Sequence, residues 1–217
     1  MKYHYAVIFD MDGVVVDNFQ YHQLAWQTFC KRHGLDFGTA FRSGVFGGTN
    51  RDHLEHFFGR RLAEEEVRNF EEEKEALYRD LYHPHIKPVE GLAAFLQELK
   101  SAGIPVALAT SSPPVNVRFV LAETGLSGVF NPVLDATSVT NGKPDPEIYL
   151  KTAAALAKDP AACIVFEDSI SGITAARAAG MKVVGLTTTH PAEDLPVLEM
   201  AIPDFTNIGL DDLELLF

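Results

Sequence analysis

Tyr5-Ala6-Val7-Ile8-Phe9, running straight into Asp10-Met11-Asp12-Gly13, decides how this chain is read. An apolar run that stops at a carboxylate suits a strand buried on both faces of a parallel sheet, because an exposed face would call for alternating polar residues. Ile104 to Ala109, Cys163 to Phe166 and Val183 to Leu186 repeat the pattern. Helical spacings lie between them. Leu92, Phe95, Leu96 and Leu99 share one face, with Gly103 placed to end that helix. Ile148, Thr152, Ala155 and Leu156 mark a second helix, and Ala175, Ala176, Ala178 and Ala179 before Gly180 a third. Strands alternating with helices of this length predict a Rossmann-like, doubly wound parallel α/β sheet.

One stretch breaks the rhythm. From Asp17 to His83 every pattern is helical, with Phe19, Trp26, Phe29 and Cys30 on one face and the Glu64–Glu66 and Glu71–Glu73 runs as solvated sides. Pro84 and Pro88 bracket the return to the sheet. The expected organisation is therefore an α/β core from 1–16 and 87–217, with a small helical domain, 17–86, inserted after the first strand.

The 217 residues are 47% hydrophobic and 22% charged, as in an ordinary soluble globular protein. Thirty acidic against 18 basic residues give a formal net charge of −12, which repels nucleic acid and anionic membranes. Neither is expected as a partner. No apolar run approaches the roughly 20 residues needed to cross a bilayer, the N-terminus lacks a signal-peptide layout, and a cytoplasmic location is expected. Cys30 and Cys163 have no metal-ligand spacing and read as two packed, reduced thiols. So acidic a chain also repels phosphorylated metabolites, so a phosphate site would need local positive charge.

Chemistry-bearing residues gather at the strand ends, where open α/β sheets place their ligands. Asp10 and Asp12, two apart in extended chain, point to the same side; taken alone, two acids and a glycine can simply be a turn. Glu167 and Asp168 end another strand, and Asp168 or Ser169 can equally be a helix cap. Together, four carboxylates would form a hard anionic pocket that either raises its pKa values or holds a cation such as Mg2+. Thr110-Ser111-Ser112 precedes Pro113 and Pro114, which can open a helix whose N-terminus suits an anion, with Ser112 as a plain cap the alternative. Lys143 stands ahead of Pro144-Asp145-Pro146, with Asp145 as candidate N-cap and Pro146 at the first helical position.

The order Asp-x-Asp-Gly, Thr/Ser, Lys-Pro and Glu-Asp-Ser-x-x-Gly-Ile resembles the haloacid dehalogenase superfamily, with Gly142 to Tyr149 and Phe166 to Ile173 its most specific segments. More narrowly it resembles the β-phosphoglucomutase and sugar-phosphate phosphatase branch, whose helical cap follows the first strand. The resemblance implies that Asp10 attacks phosphorus to form an aspartyl-phosphate, and that Asp12 serves as acid and base. It implies Mg2+ held by Asp10, Asp12 through its backbone carbonyl, and Asp168, with Glu167 behind them. Lys143 and Thr110 would then hold phosphoryl oxygens, with Gly13, Ser111 and Ser112 lining the site. In the insert, His22 would approach Asp12, with a buried structural histidine the alternative. Gly48-Thr49-Asn50-Arg51 resembles a cap loop whose arginine contacts the substrate's far phosphate or sugar, with an exposed surface arginine the alternative. Lys74 and Arg79 are weaker candidates of the same sort. Asn18 stands where many relatives carry Ser or Thr, and is expected to cap the first insert helix.

The expected activity is a magnesium-dependent phosphatase acting on a small phosphorylated metabolite, a sugar phosphate first, with pyrophosphate also open. The rival is a β-phosphoglucomutase, returning the phosphoryl group to a sugar hydroxyl. A phosphoacceptor signalling module shares the sheet, the acids and the lysine, but is normally much shorter and uncapped. The architecture can work as a monomer.

Overall fold

The computed structural model describes residues 3–38 and 49–217. The chain divides into two compact units, Met1–Asp17 with Ile86–Phe217, and Asn18–His85.

The first unit is built on six parallel strands: β1 (Ala6–Phe9), β2 (Val106–Ala109), β3 (Val133–Leu134), β4 (Cys163–Glu167), β5 (Lys182–Leu186) and β6 (Met200–Ile202), in the order β3-β2-β1-β4-β5-β6. This is a doubly wound sheet, and its order reverses at the β1–β4 seam, the place where such sheets bind ligands. The four strands expected from apolar runs are all present, each within two residues of its expected limits. The short edge strands β3 and β6 were not foreseen.

Alternation along β1 separates two cores. Ala6 and Ile8 face a cluster with Ile148, Tyr149 and Ala153 of α6 (Glu147–Ala155) and Ile173, Ala175 and Ala176 of α7 (Ile170–Ala178). On the other face, Phe9 stacks on Phe166 with centroids 5.1 Å apart, and Phe95 of α4 (Leu92–Ser101), Phe130 and Phe205 close around them. Burying an aromatic ring contributes several kcal/mol, so the strand ends stand on a stiff floor. Cys30 and Cys163 are free and buried, and burial pushes their thiols up to about 12 and about 11.

Among the described residues, the second unit contains α1 (Phe19–His33), α2 (Asn50–Phe58), α3 (Glu64–Tyr82) and a short 3-10 turn. Trp26, Phe29 and Cys30 of α1 are buried as their spacing requires. Asn18 occupies the N-cap position of α1 without making a side-chain cap: its Nδ2 donates to Tyr78 Oη at 2.6 Å instead. That corrects the capping expectation. A buried polar cluster sits among these helices, with Lys74 Nζ 2.9 Å from His22 Nδ1 and donating to Glu75 Oε1 at 2.8 Å. Asn50 Nδ2 donates to the same Glu75 oxygen at 2.8 Å.

Burial alone would raise the Glu75 carboxyl, but the charges of Lys74 and His22 and the hydrogen bonds to it outweigh burial and hold it near 2, below its ordinary 4.5. A group depressed on folding stabilises the native state above its unfolded pKa and loses that contribution as pH falls through the folded value. The stability advantage of the wild type over Glu75→Gln, measured by urea titration, is expected to be full above about pH 4.5 and to shrink towards pH 2. A pH-independent difference would show that the carboxylate is not held by these partners.

Candidate active site

Register brings the acids together. β1 and β4 pair with Phe9 opposite Phe166, and Asp10 N donates to Phe166 O at 3.0 Å, so Asp10 emerges beside Glu167 and Asp168. Carboxylate oxygens of Asp10, Glu167 and Asp168 lie within 4.8 Å of one another, and all three residues are buried. On the other side, β1 pairs with β2 with Phe9 opposite Leu108, which sets the loop after Ala109 alongside.

Lys143 ties the set. Its Nζ donates to Asp10 Oδ1 at 2.6 Å, to Glu167 Oε1 at 2.7 Å and to the carbonyl of Ala109 at 3.3 Å, linking the ends of β1, β4 and β2. The ammonium also lies 4.9 Å from the centre of the Tyr149 ring, whose hydroxyl donates to Glu167 Oε1 at 2.9 Å. The second Glu167 oxygen accepts from Asp168 N, Ser169 N and Ser169 Oγ, at 2.9, 2.9 and 3.0 Å. Glu167 thus orients lysine and loop with both oxygens. Gly172 is required beside it, because a Cβ there would overlap the Glu167 carboxylate.

The electrostatics follow from this crowding. Burial pushes Asp10 up to about 8; Lys143 opposes the shift, and the negative charges of Glu167 and Asp12 add to it. Burial and the charges of Glu167 and Asp10 hold Asp168 well above the carboxylate range. Glu167 is buried too, yet Lys143 and its hydrogen-bond donors bring it below its ordinary value. Burial works against the Lys143 charge, but Asp10 and Glu167 outweigh it and keep the ammonium protonated. Carboxylates whose protons are held on by burial and by neighbouring negative charge ionise readily only beside further positive charge. Three hard oxygen donors within one small volume fit a magnesium-sized divalent cation.

The remaining expected residues fall into two groups. Asp12 lies outside the carboxylate trio; its Oδ2 accepts a hydrogen bond from Ser112 Oγ. Ser112 therefore does not cap α5 (Pro114–Glu123), whose N-cap is Pro113. Thr110 is buried, with its backbone N–H on Leu134 O at 3.0 Å and its Oγ1 accepting from Ser112 N at 3.1 Å. Ser111 is exposed. Gly13 takes φ +78°, and a Cβ there would overlap the Asp168 carboxylate, so both conformation and space require glycine. Ser169 caps α7 by accepting from Gly172 N at 3.0 Å, and Asp168 does not cap it. The N-cap of α6 is Pro146, one residue beyond the Asp145 expected, although Asp145 Oδ1 still accepts from Glu147 N at 2.9 Å.

In the helical unit, His22 stacks on Tyr78, centroids 3.9 Å apart, beside Lys74. Arg51 pairs with Glu55 at 3.5 Å and Glu64 at 2.6 Å. Gly48 lies outside the described residues.

Three polar residues escaped the sequence reading. Tyr149 closes the Gly142–Tyr149 segment, where nothing in the local sequence marks its hydroxyl as a partner of Glu167. Thr188 and Thr189 follow β5: the Thr188 hydroxyl donates to the Gly13 carbonyl at 2.6 Å, and the Thr189 hydroxyl donates to Asp168 Oδ2. Their place after a strand end was the available signal.

Comparison with known proteins points the same way. The haloacid dehalogenase-like hydrolase family matches residues 5–180. The validoxylamine A 7'-phosphate phosphatase of Streptomyces hygroscopicus subsp. limoneus is 31% identical over 209 residues, 94% of this chain and 95% of that protein. The β-phosphoglucomutase of Bacillus subtilis is 32% identical over 195 residues, 86% of this chain and 84% of its own. A crystal structure of a family IA, variant 3 hydrolase of the same superfamily from Entamoeba histolytica superposes with a TM-score of 0.90 at 30% identity, covering 98% of each chain.

Removing the Lys143 ammonium would leave Asp10 and Glu167 facing each other in a buried site. Breaking such a pair by deleting one partner costs about 3–5 kcal/mol. Lys143→Met is expected to lose about that much in urea unfolding with chelator present. A loss below about 1 kcal/mol, the scale of an exposed pair, would mean that Nζ does not hold the two carboxylates.

Proposed function

The chain belongs to the haloacid dehalogenase-like hydrolases, in the branch that includes β-phosphoglucomutase, and from that premise we propose that it is a magnesium-dependent phosphatase of small sugar-like phosphate esters. One observation carries the reading: Lys143 joins Asp10 to Glu167 at the β1–β4 seam, with Asp168 beside them. Asp10 is the nucleophile. Its carboxylate oxygen forms a bond to phosphorus as the ester P–O bond breaks, which divides one hard displacement into two easier steps. Asp12, oriented by Ser112, gives its proton to the departing alkoxide oxygen. In the second step it takes a proton from the attacking water, whose oxygen bonds to phosphorus as the Asp10–phosphorus bond breaks. Lys143 and the Thr110 hydroxyl hold phosphoryl oxygens while charge redistributes over them. Asp10, Asp168 and the Asp12 backbone carbonyl would hold Mg2+, with Glu167 fixing Lys143 and the Asp168 loop behind them. When bound, the cation supplies Lewis-acid neutralisation of carboxylates and phosphoryl group alike. The helical insert, 17–86, is read as the element that selects the substrate.

Water is favoured over a sugar hydroxyl as acceptor by the chain's charge layout. A mutase must keep hold of a sugar bearing two phosphoryl groups, so it needs a second anion site. The start of α5 supplies little of one. Pro113 and Pro114 have no N–H, Ser112 is engaged with Asp12, and Asn116 N already donates to Pro113 O at 2.9 Å. Arg51, the expected contact to a far phosphate or sugar, is paired with Glu55 and Glu64. The likeness to a phosphatase over 94% of the chain leans the same way.

With Mg2+ present, release of inorganic phosphate from a panel of sugar monophosphates is expected to exceed conversion of β-glucose 1-phosphate to glucose 6-phosphate. Isomerisation outrunning release by orders of magnitude would falsify the phosphatase assignment while keeping the nucleophile. Asp10→Asn is expected to abolish both activities with the fold intact by circular dichroism. Turnover surviving that substitution would remove Asp10 from the mechanism.

A further inference from the structure

Two adjacent hydroxyls beyond β5 hold parts of two other loops. Thr188 Oγ1 donates to the carbonyl of Gly13, at 2.6 Å, in the loop after β1. Thr189 Oγ1 donates to Asp168 Oδ2, in the loop after β4. These two targets touch each other, since Gly13 packs against the Asp168 carboxylate too closely for any Cβ. The β5 exit therefore grips both sides of one contact. Its position is set by the sheet: Glu167 pairs with Gly185 across β4 and β5, and Thr187 N donates to Ile202 O at 3.0 Å.

An aspartate carboxylate turns about a single Cβ–Cγ bond, and Asp168 is 5% exposed, so solvent does little to orient it. The neighbouring charges are Asp10 and Glu167, which repel it, and Lys143, whose Nζ is bonded to those two. A donor fixed on one oxygen decides the direction of the other. We propose that Thr189, seated by the Thr188–Gly13 bond, is a positioning residue that sets the Asp168 carboxylate for a divalent cation. This rests on the metal-dependent reading above. Loss of such outer partners typically weakens metal affinity about 10–100-fold.

The test is Mn2+ binding to the full chain, followed by the electron paramagnetic resonance of the free ion, for wild type, Thr189→Val and Thr189→Ser. Thermal melts of all three in chelator accompany it. Valine keeps the shape and removes the hydroxyl, whereas serine keeps the hydroxyl and removes the methyl group. Thr189→Val is expected to bind Mn2+ about 10–100-fold more weakly, and Thr189→Ser to bind as the wild type does, whatever either does to the melt. Wild-type affinity in Thr189→Val would overturn the assignment, as would equal weakening in Thr189→Ser, which would trace the effect to packing. A wild-type chain that takes up no Mn2+ would instead overturn the metal-dependent reading underneath.

Discussion

One ammonium group, Nζ of Lys143, lies between two buried carboxylates that would otherwise repel each other across the seam of the sheet. Removing a charge from water is costly unless it is paired and hydrogen-bonded, and here each partner answers that cost for the other. The contact joins residues 133 positions apart, so it forms only when β1, β4 and the approach to α6 are all in register. A one-residue slip in the β1–β4 pairing would turn the Asp10 side chain to the opposite face. The stacked Phe9–Phe166 pair beneath the seam guards against that slip, because it buries only in the observed register. Packing and chemistry are thus fixed by the same strand pairing.

What the amino-acid order revealed, and what it hid, divides along physical lines. Strands buried on both faces are written as apolar runs, and β1, β2, β4 and β5 were legible for that reason. Val133–Leu134 and Met200–Ile202 are two and three residues long and only partly covered at the sheet edges. So short a pattern carries no period. The placing of Asp10, Glu167, Asp168 and Lys143 was likewise readable, because strand ends in an open parallel sheet share one edge. Caps were less so. Asn18 and Ser112 have cap-forming side chains, but Tyr78 and Asp12 recruit them, and sequence proximity cannot reveal partners 60 and 100 residues away. Ser169 read correctly because its partner, Gly172 N, lies three residues on.

Glu167 illustrates how a charged residue can be functional without being a free ligand. Its two oxygens serve Lys143, Tyr149, two backbone N–H groups and a serine hydroxyl. So many donors stabilise the charged form and explain why Glu167 falls below its ordinary pKa while Asp10 and Asp168, equally buried, rise. The same burial gives opposite results because the donors are unequally shared. That asymmetry assigns the neighbours different work: Glu167 is an anchor, whereas Asp10 and Asp168 keep an unmet demand for positive charge.

The demand can be weighed by counting charges. Asp10, Glu167 and Asp168 carry three negative charges when ionised, and Lys143 returns one positive charge to the cluster. A phosphate monoester brings up to two more negative charges into that volume, on a chain already at −12. Lys143 cannot neutralise both, since it brings one positive charge against those of the carboxylates and the ester together. Binding is eased either by protons on Asp10 and Asp168 or by a cation, which Asp10 and Asp168 would help to hold. A proton on Asp10 would cancel the negative charge that makes its oxygen a good nucleophile, whereas the proposed cation would meet charge and reactivity together. The proposed divalent ion answers the conflict between burying a nucleophilic carboxylate and bringing an anion to it.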